Sequence, residues 1–204
     1  MAEPQPAYSL ETEPVPATRP HPRLRSRSIV LVGLMGAGKT TVGRALASSL
    51  RLPFRDADQE IERAARRSVA EIFAERGEAE FRAGERRVIS RLLTRESAHV
   101  LASGGGAFVQ PDTREVIQAN ALSIWLKVEL DVLVRRVSRK NTRPLLHNRD
   151  PAEVLKTLAE QRYPAYEQAA LTVECGDVST QLTVEAVLAA LNAHLYALDQ
   201  EPVS

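Results

Sequence analysis

Blocks of apolar and polar positions alternate along most of this chain of 204 residues. Short apolar runs rich in β-branched residues are typical of buried strands, and apolar residues spaced three and four apart are typical of helices. The pattern predicts strands at 28–32, 53–55, 98–102, 121–126 and 171–174. It predicts helices near 39–50, 59–66, 68–75, 78–95, 112–119, 129–138, 151–162 and 180–194. Because strands alternate with helices, we expect an α/β fold in three layers, with a parallel sheet flanked by helices.

The first 27 residues depart from this pattern. Six of the twelve prolines fall here, and apolar residues are sparse. Such a segment cannot bury enough apolar surface to offset the entropy lost on ordering. We therefore predict a disordered Pro-rich tail at 1–27, one domain at 28–196 and a C-terminal tail at 197–204. The basic end of the first tail, 19–27, is interpreted as solvated, with a partner-binding arm as the alternative.

Composition narrows the possible functions. The 27 Lys and Arg nearly balance the 26 Asp and Glu, which gives no support for binding to nucleic acid or to a membrane surface. The single cysteine, Cys175, excludes an intramolecular disulfide and is predicted to be a small buried apolar residue. No apolar run approaches the length of a membrane span, and the first ten residues lack the apolar core of a secretory signal. We therefore expect a cytoplasmic protein.

The segment Gly33–Thr40 reads G-x-x-x-x-G-K-T, between a predicted strand and a predicted helix. Its glycines allow backbone N–H groups to face a phosphate, and the helix N-terminus favours the same negative charge. Lys39 can reach the β- and γ-phosphates, and the Thr40 hydroxyl can bind Mg²⁺. A glycine-rich turn without a ligand is the alternative. The motif predicts nucleotide binding and leaves the phosphate acceptor open.

Two further groups follow predicted strands, where ligands collect in parallel sheets. Asp56 and Asp58 come after the second strand. One carboxylate can hold a metal through water and the other can take a hydroxyl proton, although either could instead cap the next helix. Gly104–Gly106 follows the third strand. Three glycines allow a close approach of backbone to ligand, or form a plain flexible turn.

Two arginines are candidates for binding an anion. The guanidinium of Arg82 would suit a carboxylate, and Glu85, three residues on, could orient it. A surface arginine is the alternative. Arg162 continues the apolar stripe of its helix, so it either snorkels to water or meets an anion. Pro164 is expected to bend or end that helix.

The segment 135–150 is crowded with charge and contains Pro144. An exposed polar loop is one interpretation. The other is a mobile arginine-rich lid that closes over phosphates and neutralises the charge developed during transfer.

Over about residues 28–195 the chain resembles the shikimate kinase family. The motifs that carry the resemblance are Gly33–Thr40, Asp56-x-Asp58 with Glu60-Ile61-Glu62, Gly77-Glu78-x-x-Phe81-Arg82, Gly104–Gly106, Arg143-Pro144-Leu145 and Arg162-x-Pro164-x-Tyr166. The phosphate-binding loop Gly33–Thr40, or P-loop, is shared with many unrelated activities, whereas the combined set of motifs is specific to this family. The Pro-rich tail lies outside the core of the family.

The resemblance implies a P-loop kinase fold with a five-stranded parallel sheet and a lid at about 138–150. It implies a transferase that phosphorylates the 3-hydroxyl of shikimate with ATP and Mg²⁺, giving 3-phosphoshikimate and ADP. This step belongs to the pathway to chorismate and the aromatic amino acids. The balanced charge leads us to expect no nucleic-acid or membrane partner, and we expect a monomer.

Site residues follow from the resemblance by position. The implied catalytic residues are Lys39, Asp58 and Arg143. The implied nucleotide-binding residues are Gly36, Ala37, Gly38, Lys39, Thr40, Thr41, Arg136 and Arg143. The implied acceptor-binding residues are Asp58, Arg82, Gly104, Gly105, Gly106 and Arg162. Magnesium would be held by Thr40 and, through water, by Asp56. Whether Asp58 accepts a proton or orients the hydroxyl is left open.

Two rival functions are weaker. A related small-metabolite kinase, such as a gluconate kinase, shares the P-loop but is less expected to combine it with Asp56-x-Asp58, Phe81-Arg82 and three glycines. A catalytically silent nucleotide-binding regulator would be expected to have lost Lys39, Asp58 or an arginine, and these residues are present.

Overall fold

The computed structural model of the protein describes residues 7–8, 20–139 and 150–200. Its strands are β1 Ala7–Tyr8, β2 Ser28–Val32, β3 Phe54–Asp56, β4 Val100–Ala102, β5 Ala121–Val128 and β6 Leu171–Cys175. Its α-helices are α1 Lys39–Leu50, α2 Ala57–Ala65, α3 Val69–Arg95, α4 Pro111–Asn120, α5 Leu130–Ser138, α6 Pro151–Tyr166 and α7 Thr180–Gln200. Among these residues, no helix combines the length and apolar character that crossing a membrane requires.

The strands form one parallel sheet in the order β1-β6-β5-β2-β4-β3. Strand β2 lies between β4 and β5, with Ile29 opposite Val100 on one side and Leu122 on the other. All five residues of β2 are buried, because helices cover both faces of the sheet. Strands β2 to β6 are the predicted five-stranded parallel sheet, which is confirmed, and β1 adds two residues beyond β6.

Parallel strands bring their carboxyl ends to one edge of the sheet. The glycine loop at 33–38 follows β2, the two aspartates adjoin β3, and Gly104–Gly106 follows β4. Because β2, β4 and β3 are neighbours in the sheet, these three groups meet at the same edge. The candidate site is therefore built around the carboxyl ends of these strands.

Helix α3 spans two segments that the sequence pattern separates, 68–75 and 78–95. Ser68 and Glu71 form a capping box at its start. Gly77, with φ 78° and ψ 175°, is non-helical and marks a kink between the two segments. The chain thus changes direction at Gly77 without an intervening loop.

Two helices run further than the sequence pattern predicts. Helix α6 continues through Pro164 to Tyr166. The proline removes a bond to the carbonyl of Glu160, and this residue is exposed, so that water can replace the lost donor. Helix α7 ends at Gln200, beyond the predicted domain boundary at 196.

Part of the segment 1–27 is described by the structure: Ala7–Tyr8 forms β1, and the chain is described again from residue 20. A short 3₁₀ helix spans Pro22–Arg25, and Leu24 within it is fully buried in the core. The His21 backbone N–H donates to Asn192 Oδ1 at 2.9 Å, and His21 Nε2 lies 3.0 Å from Asp199 Oδ2. Average composition over 27 residues conceals this docking, because it depends on one leucine and one histidine.

Candidate active site

A cavity of about 930 Å³ opens at the carboxyl edge of the sheet. Its volume is at the upper end of the range for small-molecule sites. The P-loop, the start of α2, the middle of α3, Gly104–Gly106, and the connection between β6 and α7 form its walls. Side chains from α5 and α6 complete it. All predicted site residues that the structure describes line this cavity: Gly36, Ala37, Gly38, Lys39, Thr40, Thr41, Asp56, Asp58, Arg82, Gly104, Gly105, Gly106, Arg136 and Arg162.

The P-loop presents the N-terminus of α1 to the cavity. Gly38 precedes the helix with φ 89°, a left-handed conformation that suits glycine. The first N–H groups of a helix lack intrahelical acceptors, and the helix dipole adds positive potential at this end. Lys39 Nζ donates to the carbonyl oxygens of Gly33 and Leu34, at 2.8 and 3.0 Å, so its ammonium group lies across the loop. This arrangement can bind a phosphate.

Thr40 and Asp56 are hydrogen-bonded across the cavity. The Thr40 hydroxyl donates to Asp56 Oδ2 at 2.9 Å. Asp56 stands at the N-cap of α2, but its side chain makes no capping hydrogen bond. The capping interpretation therefore does not apply to Asp56, whose carboxylate is directed to the P-loop instead.

Asp58, in the first turn of α2, is the second carboxylate of the pair. Burial raises the pKa of Asp58, and the nearby Asp56 raises it further, whereas Lys39 acts in the opposite direction. A carboxylate with a raised pKa that faces a cavity can take part in proton transfer.

Arg82 is held in place by two glutamates of its own helix. Its Nη1 donates to Glu85 Oε2 at 2.7 Å, and its Nη2 lies 3.2 Å from Glu78 Oε1. Glu85 is fully buried, and burial raises its pKa although Arg82 opposes the shift. Burial disfavours the Arg82 charge, but Glu85 and Glu78 outweigh this and raise the Arg82 pKa. The Arg82 side chain is only 18% exposed, so it is not a surface arginine.

The three glycines at 104–106 are required by close packing. A Cβ on the first would lie 2.8 Å from Glu85 Oε1, and one on the second 2.9 Å from Arg162 Nη1. A Cβ on the third would lie 2.7 Å from Arg82 Cζ. Charged side chains therefore rest directly on this backbone, and the interpretation as a plain flexible turn does not account for the sequence.

The side chain of Arg136, in α5, lies against the connection between β6 and α7. Its Nη2 donates to the Gly176 carbonyl at 3.1 Å and is 3.6 Å from Asp177 Oδ1. The predicted catalytic residue Arg143, and the part of the predicted lid at 140–149, lie outside the described residues.

The sequence reasoning missed the segment 175–180, which also lines the cavity. The available signal was positional, because Gly176 directly follows a strand at the carboxyl edge of the parallel sheet. Cys175 is buried at the start of this segment, as predicted, and burial raises its pKa to about 12.

Comparisons with known proteins agree on one family. A family model described as shikimate kinase matches residues 35–192. The chain is 60% identical over 168 residues to a shikimate kinase of Caulobacter vibrioides, covering 82% of this chain and 84% of that protein. It is 51% identical over 178 residues to one of Mesorhizobium japonicum, covering 87% of each. A solved shikimate kinase from Acinetobacter baumannii, in complex with shikimate, superposes with a TM-score of 0.77 at 34% identity. That match covers 88% of this chain and 98% of the solved chain.

Proposed function

This chain belongs to the shikimate kinase family, and from that membership we propose how its cavity performs the family's reaction, the phosphorylation of shikimate by ATP. The observation that carries the proposal is that a single cavity is lined both by a P-loop and by the Arg82–Arg162 pair. The first group suits phosphates and the second suits a carboxylate. The protein is thus a kinase of the shikimate pathway, with two substrates meeting in one cavity.

ATP binds with its phosphates at the P-loop. The N–H groups at 36–41 surround the β- and γ-phosphates, and Lys39 exchanges its carbonyl partners for phosphate oxygens. The adenine lies toward Arg136 and the segment 175–180. Arg143 is carried over from the family pattern as a second cation for the transferred group.

Thr40 and Asp56 would hold Mg²⁺. Their 2.9 Å contact brings a hydroxyl and a carboxylate together beside the P-loop. No cluster of three or more His, Cys, Asp and Glu that could hold a metal occurs among the described residues. The donor set fits Mg²⁺, which keeps several waters and is completed by substrate phosphates. When bound, the ion neutralises charge on the β- and γ-phosphates.

Shikimate binds on the other side of the cavity. Arg82 and Arg162 grip its carboxylate, since two guanidinium groups supply paired donors in a fixed geometry. Glu85 holds Arg82 in this orientation through the 2.7 Å contact. The N–H groups of Gly105 and Gly106 donate to no acceptor within the described parts of the chain, so they are available to the ligand.

Asp58 lies beside the glycine loop, since its Oδ1 would be 3.2 Å from a Cβ on Gly104, and both Lys39 and Arg82 act to lower its pKa. It binds the reacting 3-hydroxyl and either orients it or accepts its proton. Phosphoryl transfer depends mainly on positioning and on neutralisation of charge. Lys39 supplies that charge at the phosphates, and Arg82 and Arg162 fix the acceptor. We also keep the predictions of a monomer and of a cytoplasmic location.

Replacement Arg82→Lys tests this division of the cavity. ADP release is measured with shikimate varied at saturating ATP, and then with ATP varied at saturating shikimate. Loss of paired hydrogen bonds to a charged group should raise the shikimate KM about tenfold or more, with the ATP KM changed by less than about twofold. Arg86→Lys is the matched control, because Arg86 lies on the same helix with its side chain 50% exposed. Equal rises in both KM values, or no rise in either, would contradict the proposal. Parallel reactions with gluconate in place of shikimate test the identity of the acceptor.

A further inference from the structure

The hydroxyl of Tyr166 connects two parts of the acceptor side of the cavity. Tyr166 is fully buried near the end of α6, and its hydroxyl donates to the carbonyl oxygen of Gly105. The Arg162 guanidinium, one helical turn earlier, lies at the same place: a Cβ on Gly105 would be 2.9 Å from Arg162 Nη1 and 3.8 Å from this hydroxyl. The hydroxyl therefore contacts the glycine loop beside the arginine.

The hydrogen-bond roles at this oxygen follow from chemistry. A guanidinium has only donors, and a backbone carbonyl is only an acceptor. The single phenolic proton must therefore go to Gly105, which leaves the oxygen lone pairs as acceptors beside Arg162. Burial raises the pKa of Tyr166 to about 12, so the donor persists throughout the physiological pH range.

The position of this oxygen is fixed by aromatic packing. The Tyr166 ring lies 5.8 Å from the ring of Trp125 in β5 and 6.4 Å from that of Tyr163. Core side chains packed in this way occupy defined rotamers. The hydroxyl is consequently tied to the sheet as well as to α6.

We infer that Tyr166 is a positioning residue for the acceptor: its hydroxyl sets the orientation of the Arg162 guanidinium and of the peptide between Gly105 and Gly106. That peptide carries the Gly105 carbonyl on one side and the Gly106 N–H on the other. Hydrogen bonds in series polarise one another, so donation to the carbonyl strengthens the N–H as a donor toward the cavity. This inference rests on the proposed function, which gives Arg162 and the glycine loop to shikimate.

Tyr163 provides a matched comparison. It lies on the same helix, and its ring is 4.9 Å from that of Trp125. Its hydroxyl makes no hydrogen bond to any part of the chain that the structure describes. A Tyr→Phe change at 163 removes the same atom from the same aromatic cluster without touching the glycine loop.

The test compares Tyr166→Phe with Tyr163→Phe in steady-state assays, well below the melting temperature of each variant. We expect Tyr166→Phe to raise the shikimate KM about tenfold and to change the ATP KM by less than about twofold. Tyr163→Phe should change both by less than about twofold. The inference is overturned if the two variants behave alike, or if Tyr166→Phe moves both KM values equally.

A third variant separates this inference from the proposed function. If Arg162→Lys leaves the shikimate KM unchanged, the proposed role of Arg162 is wrong. If Arg162→Lys raises that KM but Tyr166→Phe does not, only the present inference fails. Tyr166→Phe should raise the shikimate KM less when it is introduced into Arg162→Lys than when it is introduced into the parent, because the two residues act through a shared contact. If the rise in shikimate KM of the double variant equals the product of the two single rises, the inferred coupling is overturned.

A fourth variant retains the donor in case Tyr166→Phe does not fold. Incorporation of 4-aminophenylalanine at position 166 keeps an N–H donor for the Gly105 carbonyl but offers Arg162 a much poorer acceptor. We expect a rise of about threefold in the shikimate KM alone, consistent with one weakened hydrogen bond. Unchanged values in this variant would overturn the inference.

Discussion

Replacement Gly106→Ala measures how closely the glycine loop packs on Arg82. Gly106 has φ −100° and ψ −12°, a conformation open to alanine, so the change introduces no backbone strain. The added methyl group would lie 2.7 Å from Arg82 Cζ, whereas ordinary contacts of a Cβ begin near 3.4 Å. Arg82 Nη2 would lie closer still, so the guanidinium must retreat by at least about 0.7 Å, the difference between these two distances.

Arg82 cannot make this movement freely. Its guanidinium is bonded to Glu85 at 2.7 Å, and its Cζ lies 5.1 Å from the centre of the Phe81 ring. Overpacking of this kind costs about 1–3 kcal/mol of folding free energy. A displaced guanidinium also loses its alignment with a carboxylate. We expect the shikimate KM to rise about tenfold and the ATP KM to change by less than about twofold.

The assay pairs steady-state kinetics with urea unfolding of the same preparations. Gly84→Ala is the control, because Gly84 lies within α3 and its Cβ would meet only Arg87 Nη2, at 3.9 Å. Alanine is the better helix former, so this variant should gain up to about 1 kcal/mol and keep both KM values. If Gly106→Ala keeps the parental shikimate KM, the close contact does not govern acceptor binding and the reasoning is refuted.

Three further predictions concern single residues. Burial raises the pKa of Asp58 above 3.8, so as pH rises the Asp58 carboxyl ionises in the unfolded chain before it does in the folded one. The folded state therefore loses stability as pH rises from 3.8 through the folded pKa of Asp58. Asp58→Asn should therefore resist urea better than the parent at pH 7, and this gain in stability should vanish below pH 3.8. The same variant should have a lower kcat. A variant that is less stable than the parent at neutral pH would contradict the prediction. Leu24→Ala should lower the free energy of unfolding, measured in urea, by about 2–5 kcal/mol and leave the KM values unchanged. The control Arg25→Ala changes an exposed neighbour and should lower it by less than about 0.5 kcal/mol. Equal losses would show that the 3₁₀ helix is not docked. Burial of Cys175, with its pKa raised to about 12, should make iodoacetamide react far more slowly with native than with unfolded protein, and equal rates would count against it.

Local patterns sufficed for the sheet and for the position of the site. The apolar run at 28–32 and the glycine loop after it identify the central strand and the phosphate site, because both depend on neighbouring residues alone. Asp56 and Asp58 were likewise found from their place after a strand. The order of the strands in the sheet was not predicted, because periodicity within a strand does not say which strand lies beside it.

Other features depend on partners distant in sequence, and these escaped prediction. Leu24 reads as part of a polar tail until the core that buries it is known. The role inferred for Tyr166 requires Gly105, 61 residues away. The choice of Asp56 between capping α2 and bonding Thr40 is likewise decided by tertiary contact. In each case the deciding atom belongs to another element, which periodicity within one element cannot reveal.

The kink in α3 has a consequence for the chirality of its residue. Gly77 adopts φ 78° and ψ 175°, a region that L-residues avoid because their Cβ collides with the local backbone. A Cβ built there would nevertheless meet no other atom within 4 Å. The barrier to an L side chain at position 77 is therefore its backbone conformation and not a lack of space: the preferred angles of D-alanine are the mirror image, so its backbone suits a conformation in which L-alanine is strained. A semisynthetic chain with D-alanine at this position would keep the kink and lose the excess flexibility of glycine in the unfolded state.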